Sequence, residues 1–282
     1  MSSIVNALTI DVEEHFQVHA FETVVDRSAW DRYPSRVVAN TRRILRLLAE
    51  YDVQATFFVL GWVADRYPYL VKEIATSGHE VATHGYWHEL IYRQTPAEFA
   101  ADLRQSLEAI GRACVGLQPA GYRAPAFSIT QQSLWALEIL RDHSIIYDSS
   151  IFPLAAHDRY GINGANRFAN MICDNLWEFP VSTIRMGKQN LPVAGGGYFR
   201  LFPLSITRRA IRSLNKQGHP AIIYLHPWEF DPDQPRIPDA PLLSRFRHYV
   251  NLDKTESRLQ KLLNEFNFAP MCEVFASQLE VA

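Results

Sequence analysis

Five short stretches of this 282-residue chain carry side chains that could do hydrolytic chemistry together. In Thr9-Ile10-Asp11-Val12-Glu13, an extended backbone would put Asp11 and Glu13 on one face and turn Ile10 and Val12 into a packing layer. Two carboxylates side by side are the material for a general base and a metal ligand. In His84-Gly85-Tyr86-Trp87-His88, two histidines at i and i+4 on one helical turn would aim both imidazoles at a common divalent ion. The nearby His79-Glu80 does not complete an H-E-x-x-H zincin helix, because His84 stands one residue too far along. Arg123 in Tyr122-Arg123-Ala124-Pro125-Ala126-Phe127, Asp148 in Tyr147-Asp148-Ser149-Ser150 and His226 in Leu225-His226-Pro227-Trp228 each follow a short apolar run. Singly, each of these has a structural reading too: solvated acids at a strand end, ion-pair partners, a satisfied core histidine. Together they form the parts of a metal-assisted hydrolase, with metal ligands, a spare carboxylate for a base and a spare histidine for an acid.

For these residues to meet, the elements that carry them must end on one side of a common sheet. Strands are expected over 4–10, 54–60, 80–83, 121–123, 145–148, 176–184 and 221–225, and helices over the intervening segments. Ser35 is expected to cap a helix reaching Tyr51, a second helix spans 69–77 before Gly78, and Thr95, Pro96 and Glu98 open a helix that reaches about Val115. Further helices are expected over 130–142 and 205–217, the latter closed by Gly218, and from Asp253 to Phe266 with Glu256 completing a capping box. Six prolines between Pro220 and Pro241 predict a loop beside the last strand. The β-α alternation predicts an α/β fold with a mainly parallel sheet, whose C-terminal strand ends gather on one face.

The ordered stretches TIDVE, HGYWH, YRAPAF, YDSS and YLHPW resemble the five motifs of the NodB-type polysaccharide deacetylases, carbohydrate esterase family 4. The resemblance covers about residues 5–230. Within that family, DVEEHF, GHEVATHGYWH, GGGYFRLFP and HPWEFDP are similar to the subfamily of exosortase (PEP-CTERM) exopolysaccharide loci. The resemblance implies an irregular (β/α) barrel of about seven parallel strands in a single domain over 1–282, with residues from about 226 to 282 as a subfamily-specific extension packed on it. It implies Asp11 as catalytic base, Arg123 as the arginine that orients it, His226 as general acid, Asp148 as the aspartate that holds His226, and His84 and His88 as metal ligands. Many members carry two adjacent aspartates in the first motif; here Val12 takes the second place, so Glu13 or His15 is left to complete the metal site. Zn²⁺ is the first choice for two imidazoles and a carboxylate, though Fe, Co, Ni or Mn would accept the same donors. Trp87, Phe127, Tyr198 and Trp228 are expected to stack on sugar rings or to pack against the sheet, and Gly195-Gly196-Gly197 to let backbone approach the site.

Composition narrows the partners. Apolar residues make up 48% of the chain and charged ones 21%, enough to bury a large core and far from the balance of a disordered segment. With 28 basic and 30 acidic residues there is no global positive field to hold nucleic acid. The longest apolar run, 55–64, is too short for a transmembrane segment. Three scattered cysteines and an N-terminus without a basic signal region point to a cytoplasmic setting. The family resemblance implies an N-acetylated glycan as substrate, against two rivals: an allantoinase-like hydrolase of a small cyclic amide on the same fold, and a non-catalytic carbohydrate-binding barrel. No feature of the sequence sets an oligomeric state.

Overall fold

The computed structural model describes residues 4–154, 161–193 and 195–280. Its strands are β1 Val5–Val12, β2 Thr56–Val59, β3 Glu80–Thr83, β4 Gly121–Tyr122, β5 Tyr147–Asp148, β6 Asn170–Cys173, β7 Leu176–Glu178, β8 Thr183–Met186, β9 Gln189–Pro192, β10 Ile222–Leu225 and β11 Asn267–Ala269. The helices are α1 Val37–Glu50, α2 Gly61–Arg66, α3 Pro68–Thr76, α4 Pro96–Ala113, α5 Ala136–Asp142, α6 Gly196–Leu201, α7 Leu204–Lys216, α8 Leu242–Tyr249, α9 Thr255–Leu263, α10 Met271–Val274 and α11 Ala276–Leu279.

The main sheet runs in the order β10, β1, β2, β3, β4, β5, β7, β6. Every pairing from β10 through β7 is parallel, seven strands in succession, and β6 adds an antiparallel edge. The sheet curls into a half-barrel without closing by a full ladder. Between its ends, Ser182 Oγ accepts from the Ile222 N–H at 2.8 Å and Gly195 bridges Tyr224. Strands β1, β2 and β10 are buried on both faces because helices cover one side and the barrel interior the other, as a parallel sheet requires. The largest core cluster joins Leu8, Ile10, Phe57 and Ile223 of the sheet to Ile44, Leu48, Val71 and Ile211 of the surrounding helices. Among the described residues no helix is long and apolar enough to cross a membrane.

Several boundaries differ from expectation for local reasons. Ser35 does not cap α1. The carboxylate of Glu14, distant in sequence, accepts from the N–H groups of Arg36 (3.0 Å) and Val37 (3.2 Å) and from the Ser35 hydroxyl, so the orphan donors of that helix start are met by tertiary contact. Glu256 likewise makes no capping box; it pairs with Arg43, and the chain enters α9 through a 3-10 turn at Leu252–Lys254. The box at Thr95 and Glu98 does form, with both reciprocal bonds present. The helix expected from 130 begins only at Ala136, since Ser133 Oγ draws residues 130–133 into a turn by accepting from the Thr130 N–H. The strand region 176–184 divides into β7 and β8, and β8 turns back through Gly187 to pair with β9. The C-terminal segment adds a strand that was not expected: β11 pairs in parallel with Val5–Ala7 of β1, and Met271 and Phe275 are buried beyond it.

Candidate active site

The C-terminal ends of β1, β3, β4 and β10 open on one cavity of about 220 Å³, lined by Asp11, Glu13, His84, His88 and His226 among others. Asp11 sits at the end of β1, with Oδ1 2.7 Å from Arg123 Nη1. Arg123 follows β4 directly and is wholly buried. Its guanidinium also donates to Thr9 Oγ1 (2.7 Å), Ser149 Oγ (2.9 Å) and the Ser149 carbonyl (3.2 Å), and lies 4.1 Å over the Phe58 ring. A buried cation needs all of these acceptors, and satisfying them locks the fork. Asp11 Oδ1 is thereby fixed, while Oδ2 faces His226 Nε2 at 3.8 Å.

Glu13, His84 and His88 bring three donor atoms within 4.8 Å of one another. Glu13 Oε2 is 2.6 Å from His88 Nε2 and 3.9 Å from His84 Nε2, yet this buried oxygen makes no directed hydrogen bond, and its other oxygen accepts from Trp228 Nε1 at 3.0 Å. His84 Nδ1 is 2.7 Å from the Arg123 carbonyl, which can only accept, so Nδ1 carries the proton and Nε2 keeps its lone pair toward Glu13. Burial pushes the His84 imidazole down to about 4, so it is neutral at pH 7, as a metal ligand must be. Burial alone would raise the Glu13 carboxyl, but the charge and contact of His88, then the charges of His226 and His84, hold it well below the usual carboxylate range. A carboxylate, a neutral imidazole and a second imidazole converging on one point fit a divalent cation.

The two histidines do not share a helical turn. Residues 84–88 form a loop in which Gly85 (φ 73°) and His88 (φ 53°) are left-handed, and the buried carboxylate of Asp102 accepts from the N–H groups of Tyr86 (2.8 Å) and Trp87 (3.0 Å). Convergence of the ligands is thus set by backbone capture from α4 and not by helical periodicity. His15, the other residue considered for the metal, is buried 3.6 Å from Glu14 and lies outside the donor cluster.

His226 follows β10 and keeps 15% of its side chain open at the cavity. Asp148 does not hold it. Glu229, one 3-10 turn on, accepts at Oε1 from the His226 N–H (3.0 Å) and lies 2.7 Å from Nδ1; its Oε2 accepts from Arg200 Nε at 2.6 Å. Burial opposes the imidazolium, but the bond to Glu229 and the charges of Glu13, Glu229 and Asp11 outweigh it and raise His226 to about 9. Burial would also raise Glu229, yet Arg200 and His226 hold its carboxyl below the ordinary value. Arg200 is buried as deeply and spends Nη1 on the carbonyls of His248 (2.7 Å) and Val250 (3.0 Å). Asp148 instead faces Glu178 across β5 and β7, and accepts from Ser150 Oγ. Burial raises Asp148 to about 6, and burial with the charge of Asp148 raises Glu178 well above the usual value, which the charge of Arg123 offsets only in part. Glu229, Arg200 and Asp102 were not anticipated. For Glu229 a signal existed, because His226-Pro227-Trp228-Glu229 has the i, i+3 spacing of a turn-closing acid.

The aromatic residues divide. Phe127 and Trp228 line the cavity; consecutive left-handed residues Ala126 (φ 51°) and Phe127 (φ 54°) turn the Phe127 ring against Tyr224, and Trp228 stacks on His226 with centroids 5.0 Å apart. Trp87 lines an adjoining hollow of about 350 Å³ with Trp30 and Arg27, which shares His19 and His88 with the main cavity. Tyr198 is not among the lining residues and packs near Phe202. Gly196 and Gly197 do line the cavity, and the backbone of Gly195 lies so close to Tyr224 that a Cβ would collide with its carbonyl.

A polysaccharide deacetylase family model matches residues 28–141, and a domain of unknown function, DUF3473, matches residues 149–276. The peptidoglycan-N-acetylglucosamine deacetylase of Bacillus cereus is 34% identical over 99 residues, 35% of this chain and 36% of that protein. The chitooligosaccharide deacetylase of a Bradyrhizobium species is 33% identical over 100 residues, 36% of this chain and 43% of that protein. The chain therefore matches well under two thirds of the length of either relative. A solved structure from Mycobacterium smegmatis, described as a polysaccharide deacetylase, superposes with a TM-score of 0.66 at 19% identity, covering 99% of this chain and 91% of the other, which identifies the curled half-barrel as the same fold.

Proposed function

We propose that this chain is a polysaccharide deacetylase, which hydrolyses N-acetyl groups from an amino-sugar glycan. The observation that carries the proposal is the placement of Asp11 Oδ2 and His226 Nε2, 3.8 Å apart, in the same cavity as the Glu13, His84 and His88 donors. Glu13, His84 and His88 would hold a divalent cation, Zn²⁺ by choice of donors. When bound, such a cation supplies a Lewis acid for the acetyl carbonyl and makes water a stronger acid.

The chain's own groups supply the proton transfers. Asp11, its other oxygen tied to Arg123, takes a proton from the attacking water at Oδ2. His226, kept protonated by Glu229, gives its Nε2 proton to the departing amine nitrogen as the C–N bond breaks, and acetate is the second product. Arg200 anchors Glu229 from behind and so keeps the imidazole turned toward the cavity. Phe127 and Trp228 offer apolar walls for an acetyl group or a sugar face. The Gly195-Gly196-Gly197 and His226–Pro232 stretches, which carry the resemblance to the exopolysaccharide-locus subfamily, support a glycan destined for an exopolysaccharide as substrate.

The test is acetate release from N-acetylglucosamine oligomers by protein reconstituted with Zn²⁺, compared with Asp11→Asn. Release by the wild type and not by the variant is expected. A wild type that retains metal but frees no acetate from any N-acetylated glycan overturns the proposal.

A further inference from the structure

Among the described residues, five of the ten large apolar side chains that stand in solvent gather on two neighbouring helices. Leu201 and Phe202 end α6, while Leu242, Leu243 and Phe246 lie on α8, where Leu242 is 80% exposed and Phe246, one turn on, 58%. The two helices are tied together. Arg200 of α6 donates to the carbonyls of His248 and Val250 at the end of α8, and Asn251 Nδ2 donates back to the Arg200 carbonyl at 2.9 Å. Both also form the rim of the catalytic cavity, α6 through Gly196, Gly197 and Arg200, and α8 through Ser244, Arg247 and His248. Leaving leucine and phenylalanine in water has a cost, and a cluster of them beside a site marks a docking surface more often than chance exposure.

Charge selects the occupant. Residues 196–216 contain Arg200, Arg208, Arg209, Arg212 and Lys216 and no acid, and residues 236–249 contain Arg236, Arg245 and Arg247 against Asp239, in a chain whose formal net charge is -2. Glu229 neutralises Arg200, and Glu265 pairs with Arg208 and Arg212. Arg236 and Arg247, which flank the apolar residues of α8 in sequence, are exposed, and Arg236 lies over the Tyr249 ring at 4.1 Å. Leucine and phenylalanine flanked by arginine make the pattern of a helix that lies in the headgroup region of an anionic bilayer. A second copy of the chain would set the same arginines against one another across a two-fold axis, which disfavours it.

We propose that this face, α8 with the end of α6, docks on an anionic lipid surface and holds the mouth of the catalytic cavity at the membrane interface, where a lipid-linked glycan would be presented. The docking stands on the surface alone; the choice of a lipid-linked substrate rests on the deacetylase reading. The experiment is flotation of the full chain with vesicles of phosphatidylglycerol mixed with phosphatidylcholine, and with vesicles of phosphatidylcholine alone. The wild type is expected to float with the mixed vesicles, and Leu242→Ser with Leu243→Ser and Phe246→Ser to reduce the bound fraction by about tenfold or more. That triple variant should keep the wild-type melting temperature and its acetate release from a soluble oligomer. Arg236→Gln with Arg245→Gln should weaken binding to the mixed vesicles and flatten its dependence on salt. The proposal is overturned if the wild type stays unbound with both vesicles, if the triple variant floats equally well, or if light scattering finds a wild-type dimer that the triple variant converts to a monomer. A wild type that floats yet releases no acetate leaves the docking in place and counts against the deacetylase reading.

Discussion

Asp148 and Glu229 are both fully buried carboxyls beside barrel strands, and they have opposite chemistry. Glu229 meets two cations, Arg200 at 2.6 Å and His226 at 2.7 Å, and is held in its ionised form. Asp148 meets serine hydroxyl, backbone N–H groups and a second carboxyl, Glu178, and burial raises it to about 6. A charge taken out of water must be compensated at close range, or the group takes up a proton instead. Asp11, 2.7 Å from Arg123, and Glu13, 2.6 Å from His88, likewise meet a basic side chain at close range. Position at a strand end is therefore a poor guide to role, and the charge that meets the carboxyl is the better one.

The largest effect is expected where a donor is removed from beside Glu13. His84→Ala and His88→Ala should each lower bound metal from about one per chain to less than about a tenth of that, read by mass spectrometry after desalting, because an open site loses a third of its protein donors. Normal stoichiometry in both variants would make the pair structural and would sever Glu13 from the contrast. Next comes Asp11→Asn, which should lower kcat by about 10²- to 10⁴-fold with metal content unchanged, since the amide keeps the shape and loses the base. Retained activity would put the base elsewhere. Glu229→Gln removes the charge behind His226 and should reduce kcat at pH 8 by about two- to tenfold, the range that a one-unit fall of the His226 pKa allows, while Asp148→Asn should leave kcat unchanged.

The smallest effect concerns stability and falls on Asp148. Its pKa is raised from 3.8 to about 6 on folding, so between those values the folded state binds more protons and wild-type stability falls as pH rises. Asp148→Asn lacks that titration, so thermal melts from pH 4 to pH 7 should show the variant losing less stability than the wild type over this range. Parallel slopes would mean that Asp148 is compensated in some other way and would weaken the contrast with Glu229.

What could be read ahead of the structure follows the range of the interactions. Asp11, Glu13, His84, Arg123 and His226 were legible because each ends or follows an apolar run that forms a parallel strand, and parallel strand ends share one mouth. The β-α order, the Thr95 capping box and the seven parallel strands were legible for the same reason, being local pattern repeated. Partners fixed by tertiary contact were not. Glu14 caps a helix that starts 23 residues later, Asp102 shapes the His84–His88 loop from another helix, and Arg200 reaches Glu229 across 29 residues. Nothing in the periodicity of either partner announces such meetings. The strand β11, which comes from the far C-terminus to pair with the start of β1, was hidden for the same reason.

The most direct measurement is the pH dependence of kcat/KM for acetate release in the wild type, Glu229→Gln and Asp148→Asn, each with metal restored. His226 titrates at about 9 in the folded chain, raised by Glu229, so loss of its proton sets the basic limb, and a bound dication would draw that limb below 9. Glu229→Gln should move the basic limb to lower pH by about one unit, and Asp148→Asn should leave it where the wild type has it. A limb that stays in place in Glu229→Gln and moves in Asp148→Asn would contradict the assignment of Glu229 as the residue that keeps the general acid protonated.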